Sequence, residues 1–403
     1  MAANFLRSIR FFGVLLFTAN LVGVVFAEEG ELLERIRLPD PKLGDSFGVS
    51  KTDVVIAKRG GLVHTAQIFS PKSADGEIGF DGFLSELRSL CQAHGEELDA
   101  VAKLNLYVAS DDGETVEEVR SSIEKAWPEG TAPAVTLVQS PLPGGSALAG
   151  DAVFVKRNSG EGVIDFSVAN TAVVPAGRDI IHVSGRAASG ELAEATAGTM
   201  VQLFEVLAHL GSEPKDVVQV KAFLQPMSGW ETVKEEIEKS FGSVETPPLV
   251  FVEWSSTSRA TEIELIAAAP DAVETGETVS YFTPPGDKAS PVFSRVGRIH
   301  ADRVIYTSGL YAAIEDEPLP EVKRVFARLN EWGRAAGTDL RHLAKATYYV
   351  SDSDLSATLN EVRPEVYDPE RPPAASKVAV PSVGGAEVGL LMDFIAVPTA
   401  KGQ

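Results

Sequence analysis

The sequence predicts an α+β protein made of three tandem copies of one small domain. The chain has 403 residues, which is too long for one ordinary hydrophobic core. One pattern, an amphipathic helix ended by glycine and followed by a strand, occurs three times, roughly 120 residues apart. That spacing is the size of a globular domain, so we expect three globular repeats rather than a solenoid.

The clearest mark of each repeat is the glycine that ends its first helix. Gly95, Gly211 and Gly337 each follow an apolar stripe with helical spacing, and each precedes a short polar stretch and a strand-like run. The strand-like runs are residues 102–108, 218–224 and 344–350. The stripes consist of Phe83, Leu87, Leu90 and Cys91, then Met200, Leu203, Leu207 and Leu210, then Val322, Val325, Phe326 and Leu329.

The remaining elements follow the same order in every copy. An opening strand is predicted at residues 62–67, 180–185 and 304–309, and a second helix at residues 115–126, 230–241 and 355–367. Prolines then introduce a further pair of strands. The order β-β-α-β-α-β-β predicts a mixed or mostly antiparallel sheet with two helices on one face, so the other face of each sheet requires a cover.

The first 27 residues have the pattern of a cleavable leader. Arg7 and Arg10 precede the uncharged apolar run 11–26, and small residues end at Ala27. We therefore expect a signal peptide at 1–27, an acidic segment at 28–49 and export to the periplasm or the exterior. An uncleaved anchor is the alternative, but about 16 apolar residues are short for a span that needs about 20. No cysteine follows the cleavage site to carry a lipid.

The charge of the mature chain disfavours nucleic acid as a partner. Loss of the leader removes two arginines and no acid, so the formal net charge changes from −21 to −23. Such a surface repels phosphate backbones unless the fold hides a basic groove.

The repeated order resembles the reactive intermediate deaminase family, also called RidA-like, YjgF or L-PSP, over residues 50 to 398. The predicted repeats are residues 50–157, 163–270 and 276–398. In that family three subunits with a chorismate-mutase-like arrangement close their sheets into a trimeric barrel with clefts between neighbours. The resemblance implies that this one chain builds a pseudo-trimeric barrel by itself and exists as a monomer with a ligand site in its inter-repeat clefts.

The arginine that binds the substrate carboxylate in the family is missing from all three repeats. In the family it stands two residues after a proline at the start of the penultimate strand, where its guanidinium forms a bidentate pair. The matching positions are Val135, Leu249 and Ala375. An apolar side chain cannot replace a charged fork of donors.

Other family positions are retained unevenly. The acidic residue that the family uses for water attack is matched by Glu262, whereas Ala149 and Leu391 occupy that place in the other repeats. The serine and glycine at the end of the opening strand are retained as Ser184-Gly185 and Ser308-Gly309, and the first repeat has Ala66 and Gln67 instead. Arg186 is a candidate substitute for the missing anion binder; the alternative is an exposed surface arginine.

Other chemistries have little support in the sequence. The six histidines form no His-Glu-x-x-His pair, and the single cysteine, Cys91, lies on the apolar stripe of a helix, so we expect no metal and no cofactor. His64 and His182 share their repeat position with Tyr306, which favours a structural slot over a catalytic one.

Two classes of function remain. The first is a catalytically degenerate scaffold whose clefts bind small molecules or whose surface meets other exported proteins. The second is a residual imine or enamine deaminase of the 2-iminobutanoate/2-iminopropanoate type at one cleft, with Glu262 positioning water and Ser184 or Ser308 orienting the substrate. An endoribonuclease is a third possibility, and the acidic surface argues against it.

Overall fold

The computed structural model describes residues 13–18, 21–26, 32–38, 50–70, 79–109, 113–160, 162–255, 258–385 and 387–400. The rest of the predicted leader and most of the predicted 28–49 segment lie outside the described residues. Within these ranges the chain has three mixed β-sheets and six α-helices, so the predicted α+β class is confirmed.

The N-terminal part contributes three strands that the sequence did not predict. They are β1 (Gly13–Thr18), β2 (Leu21–Phe26) and β3 (Leu33–Arg37), and they form an antiparallel ladder that continues to the first strand of the first repeat. Because β1 and β2 are at the outer edge of their sheet, cleavage after Ala27 would leave β3 and the remaining ladder in place. The leader itself stays a prediction.

Each repeat contains the predicted order of elements, with one additional strand before the first helix of the first repeat and two before that of the third. The first comprises β4 (Val54–Lys58), β5 (Gly61–Thr65), β6 (Ile68–Ser70), α1 (Phe80–Ala93), β7 (Val101–Val108), α2 (Gly113–Ala126), β8 (Ala134–Gln139) and β9 (Leu148–Lys156). The second comprises β10 (Thr171–Val174), β11 (Ile180–Arg186), α3 (Leu192–His209), β12 (Val217–Leu224), α4 (Trp230–Phe241), β13 (Leu249–Glu253) and β14 (Thr261–Ala268). The third comprises β15 (Val279–Phe282), β16 (Val296–Ile299), β17 (Arg303–Thr307), β18 (Leu310–Ala313), α5 (Pro318–Ala335), β19 (Leu343–Val350), α6 (Ser353–Val366), β20 (Ala374–Ala379) and β21 (Val388–Ala396).

The three glycines that mark the repeats have left-handed backbone conformations. Gly95, Gly211 and Gly337 have φ angles of 77°, 71° and 71°, and each lies two residues after its helix, α1, α3 or α5, ends. A side chain at such a φ angle is strained, which explains why a glycine follows each of these helices.

The strands of one repeat are divided between two sheets. The first sheet has the order β10-β5-β9-β7-β8, the second β13-β12-β14-β11-β16-β15, and the third β1-β2-β3-β4-β17-β21-β19-β20; β6 pairs with β9 and β18 with β21. The strands that precede the opening strands, β4, β10 and the β15–β16 pair, therefore join the sheet of the preceding repeat, taken cyclically. They connect the third sheet to the first repeat, the first sheet to the second repeat and the second sheet to the third repeat, which is a cyclic exchange. The sequence predicted each repeat as its own sheet, and the pairing corrects that prediction.

Helices cover the outer face of each sheet, and the inner faces meet. The outer core of the first repeat, for example, joins Phe83 and Leu87 of α1 with Ile123 of α2 and Leu104 of β7. Two further apolar cores combine residues of all three repeats: one contains Ala102, Val218 and Ala344, and the other contains Tyr107, Phe223 and Tyr349. Because these trios occupy equivalent strand positions, the repeats surround one pseudo-threefold axis. The predicted barrel takes the form of three separate sheets around this shared interior.

Candidate functional site

The end of the opening strand in the second repeat meets the third repeat. The Ser184 hydroxyl donates to the carbonyl oxygen of Ser294 at 2.6 Å and accepts from the backbone N–H of Ala375 at 2.7 Å. The backbone N–H of Gly185 donates to the hydroxyl of Ser376 at 3.1 Å. Ala375, like Val135 and Leu249, stands where the family resemblance implies an arginine, and we call these three the missing-arginine positions. This candidate site therefore lies between repeats. Both hydrogen-bonding roles of the Ser184 hydroxyl are used by backbone groups.

The same arrangement recurs between the third and first repeats. The Ser308 hydroxyl donates to the carbonyl oxygen of Thr52 at 2.6 Å and accepts from the backbone N–H of Val135 at 2.9 Å. The backbone N–H of Gly309 donates to the carbonyl oxygen of Val135 at 2.9 Å. The serine again joins two repeats at a missing-arginine position.

Between the first and second repeats, the side chain of Gln67 joins the two repeats as the serine hydroxyls do elsewhere. Its side-chain amide donates to the carbonyl oxygen of Phe251 at 3.1 Å and accepts from the backbone N–H of Phe251 at 2.9 Å. Its own backbone N–H donates to the carbonyl oxygen of Leu249 at 2.9 Å. A longer polar side chain thus replaces the serine hydroxyl, and all three missing-arginine positions lie opposite the strand end of another repeat.

Glu262 is the one acidic residue that the sequence placed at such a junction, and it lies beside Gly185. A methyl group at Gly185 would collide with the Glu262 carboxylate, so glycine makes room for it. Burial and the nearby carboxylate of Glu264 raise the pKa of Glu262 to about 7, against the opposing effect of Lys345 and Arg295. Near neutral pH, Glu262 can therefore both accept and donate a proton.

Two arginines approach this junction, and only one was found from the sequence. Arg186 forms an ion pair with Asp287, and Arg295 donates to the same carboxylate at 3.1 Å and to the carbonyl oxygen of Gly185 at 3.0 Å. The side chain of Arg186 is only 16% exposed, which contradicts its interpretation as a freely exposed arginine. Arg295 and Asp287 belong to the third repeat and match no family motif, so the sequence offered no signal for them.

A large cleft lies between the first and second repeats. Its volume is about 1070 Å³, and its walls include Gln67, Leu249 and Phe251 of the junction described above. Four aromatic rings line it, those of Phe69, Phe166, Trp230 and Phe251. The ring centroids of Trp230 and Phe251 are 5.7 Å apart, and Phe69 is 37% exposed because it lies on the outward face of the short strand β6. A cleft of this size and lining suits a small organic ligand.

The interior around the axis holds a second polar feature, the central polar layer. Three carboxylates at equivalent register positions, those of Asp151, Glu264 and Asp393, each meet a lysine of the next repeat along the chain, cyclically. The nitrogen–oxygen distances are 2.8 Å for Lys103 with Asp393, 2.6 Å for Lys345 with Glu264 and 3.8 Å for Lys221 with Asp151. In each of the three ion pairs the lysine and the carboxylate neutralise each other's charge. The three pairs lie between the two shared apolar cores.

His64, His182 and Tyr306 line the same interior, beside a cavity of about 60 Å³. Burial and the ammonium group of Lys221 lower the pKa of His64 to about 4. Burial, Lys345 and His64 lower the pKa of His182 to about 3. Both imidazoles are neutral at pH 7, which fits the prediction of a structural slot, since the third member is a tyrosine.

These lowered pKa values predict a loss of stability in mild acid. The unfolded chain, with histidine pKa values near 6.5, binds protons that the folded chain does not bind until about pH 4 or 3. The free energy of unfolding therefore falls as the pH decreases below about 6.5, by at most about 1.4 kcal/mol per pH unit for each histidine. We expect urea denaturation between pH 6.5 and 4.5 to show a smaller pH slope in the double variant His64→Gln/His182→Gln; an unchanged slope would contradict this assignment.

Three further observations concern metal ligands, the single cysteine and membrane-spanning helices. Among the described residues no three His, Cys, Asp or Glu side chains gather to hold a metal ion. Cys91 is fully buried in the outer core of the first repeat, and burial raises the pKa of its thiol to about 12. No helix in the described ranges combines the length and the apolar character needed to cross a membrane.

Fold and junctions together define a class: a single-chain, three-repeat α+β protein whose candidate sites lie between repeats. The family described as Endoribonuclease L-PSP matches residues 166–269 and 288–397, which is more than half of the chain. The chain belongs to this family, and the resemblance predicted from the repeats is confirmed. The matched segments cover the second and third repeats, and the first repeat has the same order of elements.

Solved structures of the same family resemble parts of the chain. A YjgF-family protein from Neisseria meningitidis is 22% identical over 31% of this chain and 98% of its own, with a TM-score of 0.23. A Rid-family protein from Yersinia pestis is 21% identical over 30% of this chain and 98% of its own, with a TM-score of 0.26. RidA from an Antarctic Psychrobacter is 22% identical over 23% of this chain and 79% of its own, with a TM-score of 0.21. No curated protein matches the chain.

Proposed function

We propose that this protein is an exported, catalytically degenerate member of its family that binds small molecules in its inter-repeat clefts. One observation carries the proposal: Val135, Leu249 and Ala375 place apolar side chains at the three junctions where the family resemblance implies an arginine. A carboxylate ligand at these places would lose a charge-assisted bidentate pair, which is among the stronger polar interactions in proteins.

The serines support the same proposal. The hydroxyls of Ser184 and Ser308 already donate to one backbone carbonyl and accept from one backbone N–H, so they hold adjacent repeats together. A substrate would have to compete with these bonds, and breaking them would leave buried backbone groups unpaired. The retained serines are better suited to joining repeats than to orienting a substrate.

Export is part of the proposal and rests on the apolar run 11–26 with its preceding arginines. The resemblance implies imine substrates made by cytoplasmic pyridoxal enzymes, and an exported chain would not meet them. The mature charge of −23 also disfavours RNA as a substrate. We expect no salt-dependent shift of RNA in a gel with the mature chain; such a shift would revive the endoribonuclease interpretation.

A residual deaminase is the second candidate, and one observation favours it. At the junction of the second and third repeats, Glu262 has a pKa of about 7, and Arg186 and Arg295 lie nearby. A carboxylate with this pKa can take a proton from attacking water and return it to a leaving amine. The two arginines share the Asp287 carboxylate, and Arg295 also interacts with Glu262, so a net positive charge remains at this junction only while Glu262 is protonated.

Imine hydrolysis decides between the two candidates. The mature chain is added to 2-iminopropanoate, which an amino-acid oxidase generates in situ, and the free imine is followed with a trapping reagent. We expect no acceleration over the uncatalysed rate, because Val135, Leu249 and Ala375 stand where the family resemblance implies the substrate-binding arginine. Acceleration that is lost in Glu262→Gln but retained in Glu274→Gln, an exposed acid outside the junction, would establish the deaminase instead.

A further inference from the structure

The cleft between the first and second repeats is lined by net negative charge, which would repel a carboxylate ligand. Its charged lining residues are Glu86, Glu238, Glu245 and Lys234, so three carboxylates face one ammonium group. Lys234 is paired with Glu238 on helix α4. The net charge of the lining is therefore negative, and it comes from Glu86 and Glu245, both of which are exposed to solvent.

The two acidic residues come from different repeats. Glu86 lies on α1 of the first repeat, and Glu245 follows α4 of the second. Leu249 lines the same cleft and is half-buried, so an apolar group stands where the family resemblance implies a cation. The apolar residue at this position and the two acids thus both make the charge of the cleft more negative.

Aromatic rings supply the other half of the argument. Phe69, Phe166, Trp230 and Phe251 line the cleft, and the faces of aromatic rings attract organic cations. Phe69 is a large apolar side chain left 37% exposed, and Trp230 is only partly buried, so both offer contact area that the fold itself does not use. Apolar area and negative charge together match a molecule that has an apolar body and an ammonium group.

We propose that this cleft binds small organic ammonium ions with an aromatic or aliphatic body, and that it disfavours the carboxylates of the wider family. The inference rests on the proposed function, because it names the ligand class for the binding cleft. It differs from that function in predicting the sign of the ligand's charge.

The test uses three ligands of nearly equal size: 2-phenylethylammonium, 2-phenylethanol and phenylacetate. Each is titrated into the full mature chain at pH 7 and low ionic strength, with binding followed by ligand-observed NMR. We expect the cation to bind more tightly than the alcohol and the alcohol more tightly than the anion. The double variant Glu86→Gln/Glu245→Gln should weaken binding of the cation by about five- to tenfold and leave the alcohol nearly unchanged.

Two control variants separate local charge from overall charge. Glu129→Gln/Glu274→Gln removes the same charge from exposed positions outside the cleft and should leave all three affinities unchanged. Leu249→Arg places a guanidinium at the missing-arginine position and should reverse the preference in favour of phenylacetate.

The possible failures are distinguishable. Binding of phenylacetate as tight as that of the cation, or cation binding that is insensitive to Glu86→Gln/Glu245→Gln, would overturn the inference and leave the binding function standing. Absence of binding by all three ligands would overturn the inference together with the proposed function of this cleft.

Discussion

Replacement of Lys345 by methionine is expected to lower the free energy of unfolding by about 3–5 kcal/mol. The ammonium group of Lys345 lies 2.6 Å from the Glu264 carboxylate and 3.0 Å from the Ser376 hydroxyl, and all three residues are buried. Burial by itself opposes ionisation of Glu264, but Lys345 and Lys221 more than compensate and lower its pKa. Without Lys345, the buried carboxylate would lose its nearest counter-charge.

Two variants test whether the pair, rather than the lysine side chain, causes this effect. The double variant Lys345→Met/Glu264→Gln removes both charges and should recover a large part of the lost stability. Lys323→Met breaks an ion pair with Glu365 in which both side chains are more than half exposed, and it should change stability by less than about 1 kcal/mol. Urea denaturation at pH 7 measures all three. A loss in Lys345→Met no larger than in Lys323→Met would show that the central polar layer does not stabilise the fold.

An isolated second repeat, residues 163–270, is expected not to form a stable monomer. Its sheet normally contains β15 and β16 of the third repeat, and its own β10 pairs with β5 of the first repeat. The fragment would expose the unpaired edge of β11 and leave the axial face of its sheet without cover. We expect it to self-associate or to remain largely unfolded, whereas residues 28–403 should sediment as a compact monomer.

Sedimentation velocity and amide hydrogen exchange check this prediction. A longer fragment, residues 163–302, restores β15 and β16 and is the matched control: it should gain protection in β11 but still associate through its axial face. A monomeric 163–270 fragment with cooperative unfolding would contradict the importance of strand exchange. A trimer of full-length chains would contradict the single-chain pseudo-trimer.

The repeat architecture could be predicted from local features of the sequence. The helices end near Gly95, Gly211 and Gly337 because a left-handed residue must follow them, and that requirement is visible in the residue type itself. The second helices begin and end within about two residues of the predicted bounds. The positions where the family resemblance implies an arginine could be located because each lies two residues after a proline.

The partners of these elements were decided only in three dimensions. The first strands of each repeat, β4, β10 and the β15–β16 pair, join the sheet of the preceding repeat. Backbone hydrogen bonds carry no residue identity, so this cyclic exchange has no sequence signal. Arg295 and Asp287 reach the Glu262 junction through this exchange, from a segment more than twenty residues away. The sequence by itself determined the three repeats and their helices, and the family resemblance pointed to Val135, Leu249 and Ala375 as the positions where an arginine is expected. The tertiary structure decided which repeats share a sheet, which lysine meets which carboxylate and where the aromatic rings and acids of two repeats form one cleft, because each depends on contacts between residues far apart in the chain.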